Sequence, residues 1–415
     1  HFPTMPGWCG SIYVDPSKQM QPIIGMHVAG DRLKKGLLHV FEKVTDDLLA
    51  LPVGNAPEEV VEAVVDISGF AGVSVEKGVR DKASSIVQSR FYKEIRPNYD
   101  VGKVMPYFDG VQWRNPCLES FARLKMIETT NVERPYDLMA VARENGVFFK
   151  PRFRVLARPS LRETIQGGEF LNPIDGSKSA GYPHGCPKSA LCWRDEDGRL
   201  IEAPELEKVF YEAVNKLCPD NFDVRAWKDF EELFSACKAC NKDEPVKLAK
   251  VFVKTRLFAA NAIVEFLLQR MFFFDISHNF TNSNLRFHSA LGISPAMFGT
   301  IHDYMKELGP DTVVVAADFE SMDMHVSYSD LMAVLLYLFE IRGYEVASKK
   351  RKVDVDFPEL GPDDLVRYQL MRRLACFLFI YQKTVFSADK MHPSGSFLTT
   401  IINIVMQMLL WSKAY

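Results

Sequence analysis

The chain has 415 residues, of which 47% are hydrophobic, and a formal net charge of −3. This length and apolar content mark a globular chain with a large core in two or three lobes, and the near-neutral charge excludes a global basic field, so any nucleic-acid contact must come from local basic patches. The eight cysteines are scattered, with Cys237-x2-Cys240 as their only close pair, which excludes a zinc-finger pattern and reads as reduced thiols of a cytosolic protein.

Residues 1–130 read as mostly helical with loops. An amphipathic pattern covers 31–51, Pro57 suits the first turn of a helix, and 82–95 is a further helix candidate. No chemistry is legible there, and the segment reads as a scaffold. The start at His1 rather than Met is expected of a trimmed N-terminus. From Lys150 the text turns basic, with Arg152, Arg154, Arg158 and Arg162 interleaved with Phe153, Val155 and Leu156. On a strand, Arg152 and Arg154 would face the same side, as a row that contacts phosphates would and as a solvated edge strand would equally. Ser179-Ala180-Gly181-Tyr182-Pro183 follows as a turn.

Lys242-Asp243-Glu244, Lys247, Lys250 and Lys254-Thr255-Arg256 form the next basic stretch. Val251 to Arg256 reads as a strand that turns Lys254 and Arg256 to one face, as a charged exposed hairpin would also do. Asn261 to Ile276 reads as one buried helix, with the aromatic run Phe272-Phe273-Phe274 in the core. Val313-Val314-Val315-Ala316-Ala317 is an apolar run suited to a strand buried on both faces, and it delivers Asp318 at its end with Asp323 beyond.

Ser327 or Ser329 can cap a helix that carries Leu331, Val334, Leu335 and Leu338 and stops near Gly343. Lys349-Lys350-Arg351-Lys352 reads as a solvated turn or a contact to RNA backbone. A helix from about 364 to 375 and a β-rich stretch over 377–386 come next. Ser394-Gly395 then precedes a helix on which Thr399, Asn403 and Gln407 recur at i, i+4, i+8 as one polar stripe. Such interruptions, with Glu265, Gln269 and Arg270 upstream, leave the longest apolar stretches too short and too polar to span a bilayer.

Asp318-x4-Asp323 on a strand end, followed by Ser394-Gly395-x3-Thr399-x3-Asn403 on a helix, resembles motifs A and B of viral RNA-dependent RNA polymerases. Gly181-Tyr182-Pro183 resembles their motif G, and Lys242 to Arg256 their motif F, so the four occur in the order G, F, A, B. The resemblance implies an α+β fold of right-hand polymerase architecture, with fingers and a partial palm that is truncated after motif B, and no thumb. It divides the chain into an N-terminal helical extension and fingertips (1–130), fingers with motifs G and F (131–300) and an incomplete palm with motifs A and B (301–415).

It further implies RNA-directed RNA synthesis by a two-metal mechanism, with Asp318 and Asp323 catalytic, and Mg²⁺ or Mn²⁺ held by Asp318 and Phe319. Nucleotide would be bound by Lys254, Arg256, Asp323, Ser394, Gly395, Thr399 and Asn403. Asp323 and Asn403 would feel the 2′ hydroxyl, and Gly395 would let its loop shift because a glycine φ is unrestricted. RNA would be met by Lys242, Lys247, Arg152, Arg154, Ser179, Gly181, Tyr182 and Pro183. The expected partners are template and nascent RNA, nucleoside triphosphates and viral capsid protein, without membrane, in the virion and host cytoplasm. Asp318-Phe319-x2-Met322-Asp323-x-His325 most resembles the double-stranded RNA viruses of picobirnavirus and partitivirus type, with picobirnavirus favoured. The Gly-Asp-Asp hairpin expected after motif B does not occur before Tyr415, so the stretch is expected to be inactive alone. The alternative is a polymerase-like scaffold that binds RNA or nucleotide without catalysis.

Overall fold

The computed structural model describes residues 12–14, 23–30, 39–42, 70–74, 83–87, 98–125, 153–217, 237–251, 255–282, 287, 289, 291–307, 309, 322, 326–344, 360–375, 377–382, 384–388 and 392–414. The chain divides into two compact units, His1–Val61 and Glu62–Tyr415.

In the first unit, strands β1 (Ile12–Val14), β2 (Ile23–Gly30) and β3 (His39–Glu42) form an antiparallel sheet in the order β1-β2-β3. The mostly helical reading of the N-terminal segment is therefore corrected where it is described. Ile12, Val14, Ile23, Ile24, Val40 and Phe41 are β-branched or aromatic, and a pleated ladder suits them better than a helical turn. In the second unit, residues 83–87, inside the helix expected over 82–95, carry no regular structure. The backbone N–H of Ser85 donates to the Asp243 carboxylate at 2.7 Å, a partner that competes with a helical one. The helix expected at Pro57 lies outside the described residues.

The second unit continues with β4 (Phe70–Ser74), β5 (Tyr99–Val101), a hairpin of β6 (Tyr107–Phe108) and β7 (Trp113–Arg114), and α1 (Pro116–Lys125). Next come α2 (Leu161–Gln166), a hairpin of β8 (Cys192–Arg194) and β9 (Leu200–Glu202), and α3 (Pro204–Leu217). Strands β10 (Cys237–Asn241), β11 (Pro245–Lys247) and β12 (Leu257–Ala260) lead into α4 (Ile263–Phe272), α5 (Phe274–Asn282) and α6 (Phe298–Glu307). Helices α7 (Tyr328–Ile341) and α8 (Pro362–Ala375), strands β13 (Phe377–Tyr381) and β14 (Thr384–Ala388), and α9 (Thr399–Ala414) close the chain.

The main sheet runs β12-β10-β13-β14-β4, parallel only between β10 and β13. Helix α7 packs on α8 and α9, and α4 packs on α2, α3 and α8. Leu331 to Phe339 are all buried, which is what an apolar helix without a polar face requires. Its start is set by a capping box in which Asp330 N–H donates to Ser327 Oγ while Ser327 N–H donates back to the Asp330 carboxylate. The single helix expected over 261–276 is two helices, α4 and α5, broken at Phe273. With the break, Phe272 and Phe273 are both fully buried, each contributing about 1.5–3 kcal/mol of transfer free energy. No helix among the described residues is long and apolar enough to cross a membrane.

Candidate active site

Strand β12 is the element on which the site is built. It pairs antiparallel with β10 from Lys238↔Ala260 to Asn241↔Leu257, and one more rung follows where Lys242 N–H donates to the Arg256 carbonyl at 2.8 Å. The strand expected over Val251 to Arg256 therefore begins only at Leu257, because Leu257 is the first residue with a β10 partner; Val251 lies in a turn, and 252–254 are outside the described residues. The extra rung sets Lys242 and Arg256 opposite each other at the end of the strand pair from which the connecting segment leaves. Both cations lean on Glu244, Lys242 Nζ at 3.2 Å and Arg256 Nη1 at 3.4 Å. Burial pulls the neighbouring Asp243 carboxyl upward, but hydrogen bonds from Ser84 and Ser85 outweigh it and hold the group below the usual aspartate range. Lys247 on β11 pairs with Tyr99 of β5 and is exposed.

At its other end β12 runs into Asn261 and Ala262, against which the Gly181 loop is laid. Gly181 has φ +77°, and a Cβ there would stand 2.4 Å from the Asn261 carbonyl oxygen. Ile263 N–H donates to the Ala180 carbonyl at 2.9 Å, and Gly181 N–H donates to Ser179 Oγ at 3.1 Å. The loop before α9 packs on the side of the same strand. Gly395 N–H donates to the Ala259 carbonyl at 3.0 Å, and a Cβ on Gly395 would lie 2.5 Å from that oxygen and 2.9 Å from the Phe258 ring. The glycine is thus required by space in this conformation, and its φ here is not positive.

Buried polar side chains orient this loop. Gln269 of α4 offers one carboxamide oxygen to both Ser396 Oγ at 2.8 Å and Phe397 N–H at 3.1 Å. Its nitrogen donates to Glu265 at 3.3 Å, and Glu265 faces Arg373 of α8 at 3.9 Å. Burial pushes the Glu265 carboxyl up, with Arg373 and Gln269 opposing. Phe397 meets Phe266 edge to face at 6.5 Å, with the Arg270 guanidinium 5.6 Å from each ring. Burial lowers Arg270 to about 10, and its guanidinium donates to the Thr164 and Asn172 carbonyls. On α9, Thr399 Oγ1 donates into the loop, to the carbonyls of Pro393 at 3.1 Å and Ser396 at 3.0 Å, and His392 Nε2 lies 2.9 Å from Asn403 Oδ1.

A family model described as viral RNA-dependent RNA polymerase matches residues 132–415. The chain belongs to this family. It is similar to the RNA1 polyprotein of Tomato torrado virus, 26% identical over 255 residues, which cover 58% of this chain and 11% of the polyprotein. Its fold is similar to that of the Sicinivirus 3Dpol RNA-dependent RNA polymerase, with a TM-score of 0.63 and 19% identity over 83% of this chain and 66% of that one. The mixed helix and strand content agrees with a polymerase fold of this family.

In this viral polymerase chain the structure brings Lys242, Arg256, Gly181 with Ser179 and Pro183, and Gly395 to β12 and the start of α4, while Thr399 and Asn403 are tied to the loop before α9 through Pro393, Ser396 and His392. Asp318, Phe319, Asp323, Lys254 and Arg152 lie outside the described residues. Of the motif A stretch only Met322 is described, partly buried against the main core. No strand forms over residues 153–159. There the backbone of Arg154 exchanges two hydrogen bonds with the Asn279 carboxamide instead of a neighbouring strand. Of the basic row that follows, Arg158 pairs with Asp363 at 2.5 Å and Arg162 with Glu202 at 3.0 Å, while Arg154 lies over the Phe170 ring at 5.5 Å.

Three residues that shape the site escaped the sequence: Glu244, Gln269 and His392. A polar Gln in a helix otherwise suited to the core was the available signal for Gln269, and a histidine beside Pro393-Ser394-Gly395 for His392. Among the described residues no group of three or more His, Cys, Asp or Glu could hold a metal ion; the expected metal ligands, Asp318 and Phe319, lie outside the described residues.

Proposed function

We propose that the chain forms the fingers (131–300) and part of the palm (from 301) of an RNA-directed RNA polymerase of a double-stranded RNA virus of picobirnavirus type, preceded by a fingertip extension. It transfers ribonucleoside monophosphate to an RNA 3′ end under direction of a template. The observation that supports this reading is the convergence on β12. Lys242 and Arg256 stand at one end of the strand, the Gly181-Tyr182-Pro183 loop packs at the other, and Gly395 packs on its side. Cations for a triphosphate, a loop for a template and a helix with sugar-binding groups are thereby brought to one short strand. The pattern Asp318-Phe319-x2-Met322-Asp323-x-His325 supports the picobirnavirus placement.

Lys254 and Arg256 bind triphosphate oxygens, and the forked Arg256 donors strengthen as negative charge spreads during transfer. Template and product RNA run past Ser179, Gly181, Tyr182 and Pro183, with Lys242, Lys247, Arg152 and Arg154 on phosphates. Asn403 and Asp323 hold the 2′ hydroxyl, Thr399 accepts with its remaining lone pairs, and the Ser394-Gly395 loop seats the nucleotide. Asp318 and the Phe319 carbonyl are hard oxygen donors that suit Mg²⁺ or Mn²⁺. In a two-metal arrangement such ions supply Lewis-acid stabilisation of charge at the transferred phosphoryl group. The partners are template and nascent RNA, nucleoside triphosphates and capsid protein, in the virion and the host cytoplasm.

In the polymerase as the virus expresses it, Asp318→Ala abolishes incorporation and leaves RNA binding intact, because the lost carboxylate carried several kcal/mol of transition-state stabilisation. Near-normal incorporation by this variant in a primer-extension assay overturns the catalytic assignment. Nucleotide and RNA binding without any incorporation by the wild type would leave the scaffold reading.

A further inference from the structure

We propose that His392 is a positioning residue for sugar selection, fixing which end of the Asn403 carboxamide meets the incoming nucleotide; this rests on the reading of Asn403 as a ribose contact. The two ends of a carboxamide have nearly the same shape, so only their hydrogen-bond partners decide which way the group points. Here the partner is the imidazole, with Nε2 2.9 Å from Asn403 Oδ1. With Oδ1 turned to the ring, the hydrogen bond is completed by the tautomer that carries its proton on Nε2, and the proposed role uses that tautomer. Among the described residues no hydrogen bond engages Asn403 Nδ2 within the protein, and its two N–H groups are left for a ligand.

The chemistry of a 2′ hydroxyl fits that orientation. The hydroxyl oxygen accepts from Nδ2–H, and its own proton remains for the Asp323 carboxylate. With the amide reversed, Oδ1 and the carboxylate would compete for one proton and the hydroxyl oxygen would lack a donor. Thr399, one turn earlier on the same stripe, cannot supply that donor, because its only hydroxyl proton is directed at the carbonyls of Pro393 and Ser396. His392 is itself well held. It is fully buried, it precedes a proline that restricts its backbone, and the Pro393 carbonyl is tied to α9 through Thr399.

The test uses the virus-expressed polymerase and the ratio of kcat/KM for matched ribo- and deoxynucleotides. His392→Phe, which keeps the core filled but has no donor, narrows the ratio about five- to tenfold, the worth of one oriented hydrogen bond, with the loss in the ribonucleotide KM rather than in deoxynucleotide use. His392→Gln, whose amide N–H can donate to Asn403 Oδ1, restores most of the ratio. In an Asn403→Ala background His392→Phe narrows it no further. If Asn403→Ala narrows the ratio while His392→Phe leaves it unchanged, or if Gln fails as badly as Phe, His392 is only a packed core histidine and the proposal is overturned. If Asn403→Ala itself leaves the ratio unchanged, the ribose reading of Asn403 falls and the proposal with it. Should His392→Phe lose its cooperative thermal melt, the comparison of His392→Gln with wild type decides, since a donor-mediated role requires the ratio to survive.

Discussion

Two clusters of basic side chains and carboxylates in this protein are built from the same chemistry and differ in burial. In the first, Arg342, Asp275, Arg367 and Asp364 join α5, α8 and the end of α7. Arg342 pairs with Asp275 and, at 3.2 Å, with Asp364, and Arg367 reaches Asp364 at 2.6 Å and Asp275 at 3.7 Å. Arg367 also donates to the Phe272 carbonyl at 2.5 Å, and Tyr344 donates its hydroxyl proton to Asp364. The Arg367 and Asp275 side chains are only 6% and 2% exposed. In the second cluster, Lys242 and Arg256 share Glu244, and Arg256 and Glu244 are 60% and 24% exposed. Charges that have left water are committed to each other, because an unpaired one would bear an uncompensated desolvation cost. Charges still in water are held weakly by a shared carboxylate, and a polyanion with several phosphate oxygens can displace it. The first cluster is therefore the more sensitive to loss of a partner, and the second is the one still open to solvent.

The largest expected effect breaks the buried cluster. Arg367→Met leaves two buried aspartates short of a partner and lowers the unfolding free energy of the chain by about 3–5 kcal/mol in urea melts. A loss below about 1 kcal/mol would mean that the buried cluster is no more committed than the exposed one. Arg256→Ala should leave the melt nearly unchanged while raising the apparent KM for all four nucleoside triphosphates alike, about tenfold, and slowing incorporation. A defect confined to one base would contradict a triphosphate role. The smallest effect belongs to Glu244→Gln, which removes an exposed carboxylate shared by two cations. Stability changes by less than about 1 kcal/mol, and triphosphate affinity measured by titration rises a few-fold at low salt. Weaker binding in this variant would mean that Glu244 positions the cations instead of competing with the ligand.

Much of the local structure was legible because its causes act over a few residues. The Ser327 cap with Asp330, the helix ending at Ala375, the β-rich stretch that became β13 and β14, and the polar stripe of α9 all follow from spacing and caps that reach no further than a turn or two. The N-terminal strands were missed because an amphipathic stretch holding His39-Val40-Phe41 satisfies more than one period, and ladder partners on another segment decide between them.

By itself the sequence determined the motifs and their order, with a glycine at 395. What only the tertiary structure decided is that β12 is their common support, that Gln269 anchors Ser396 across 127 residues of chain, and that His392 meets Asn403. Propensity and periodicity carry no information about which distant backbone carbonyl a glycine will approach or which buried amide will find an imidazole. Those pairings are set when packing excludes water and each polar group left inside must find a partner.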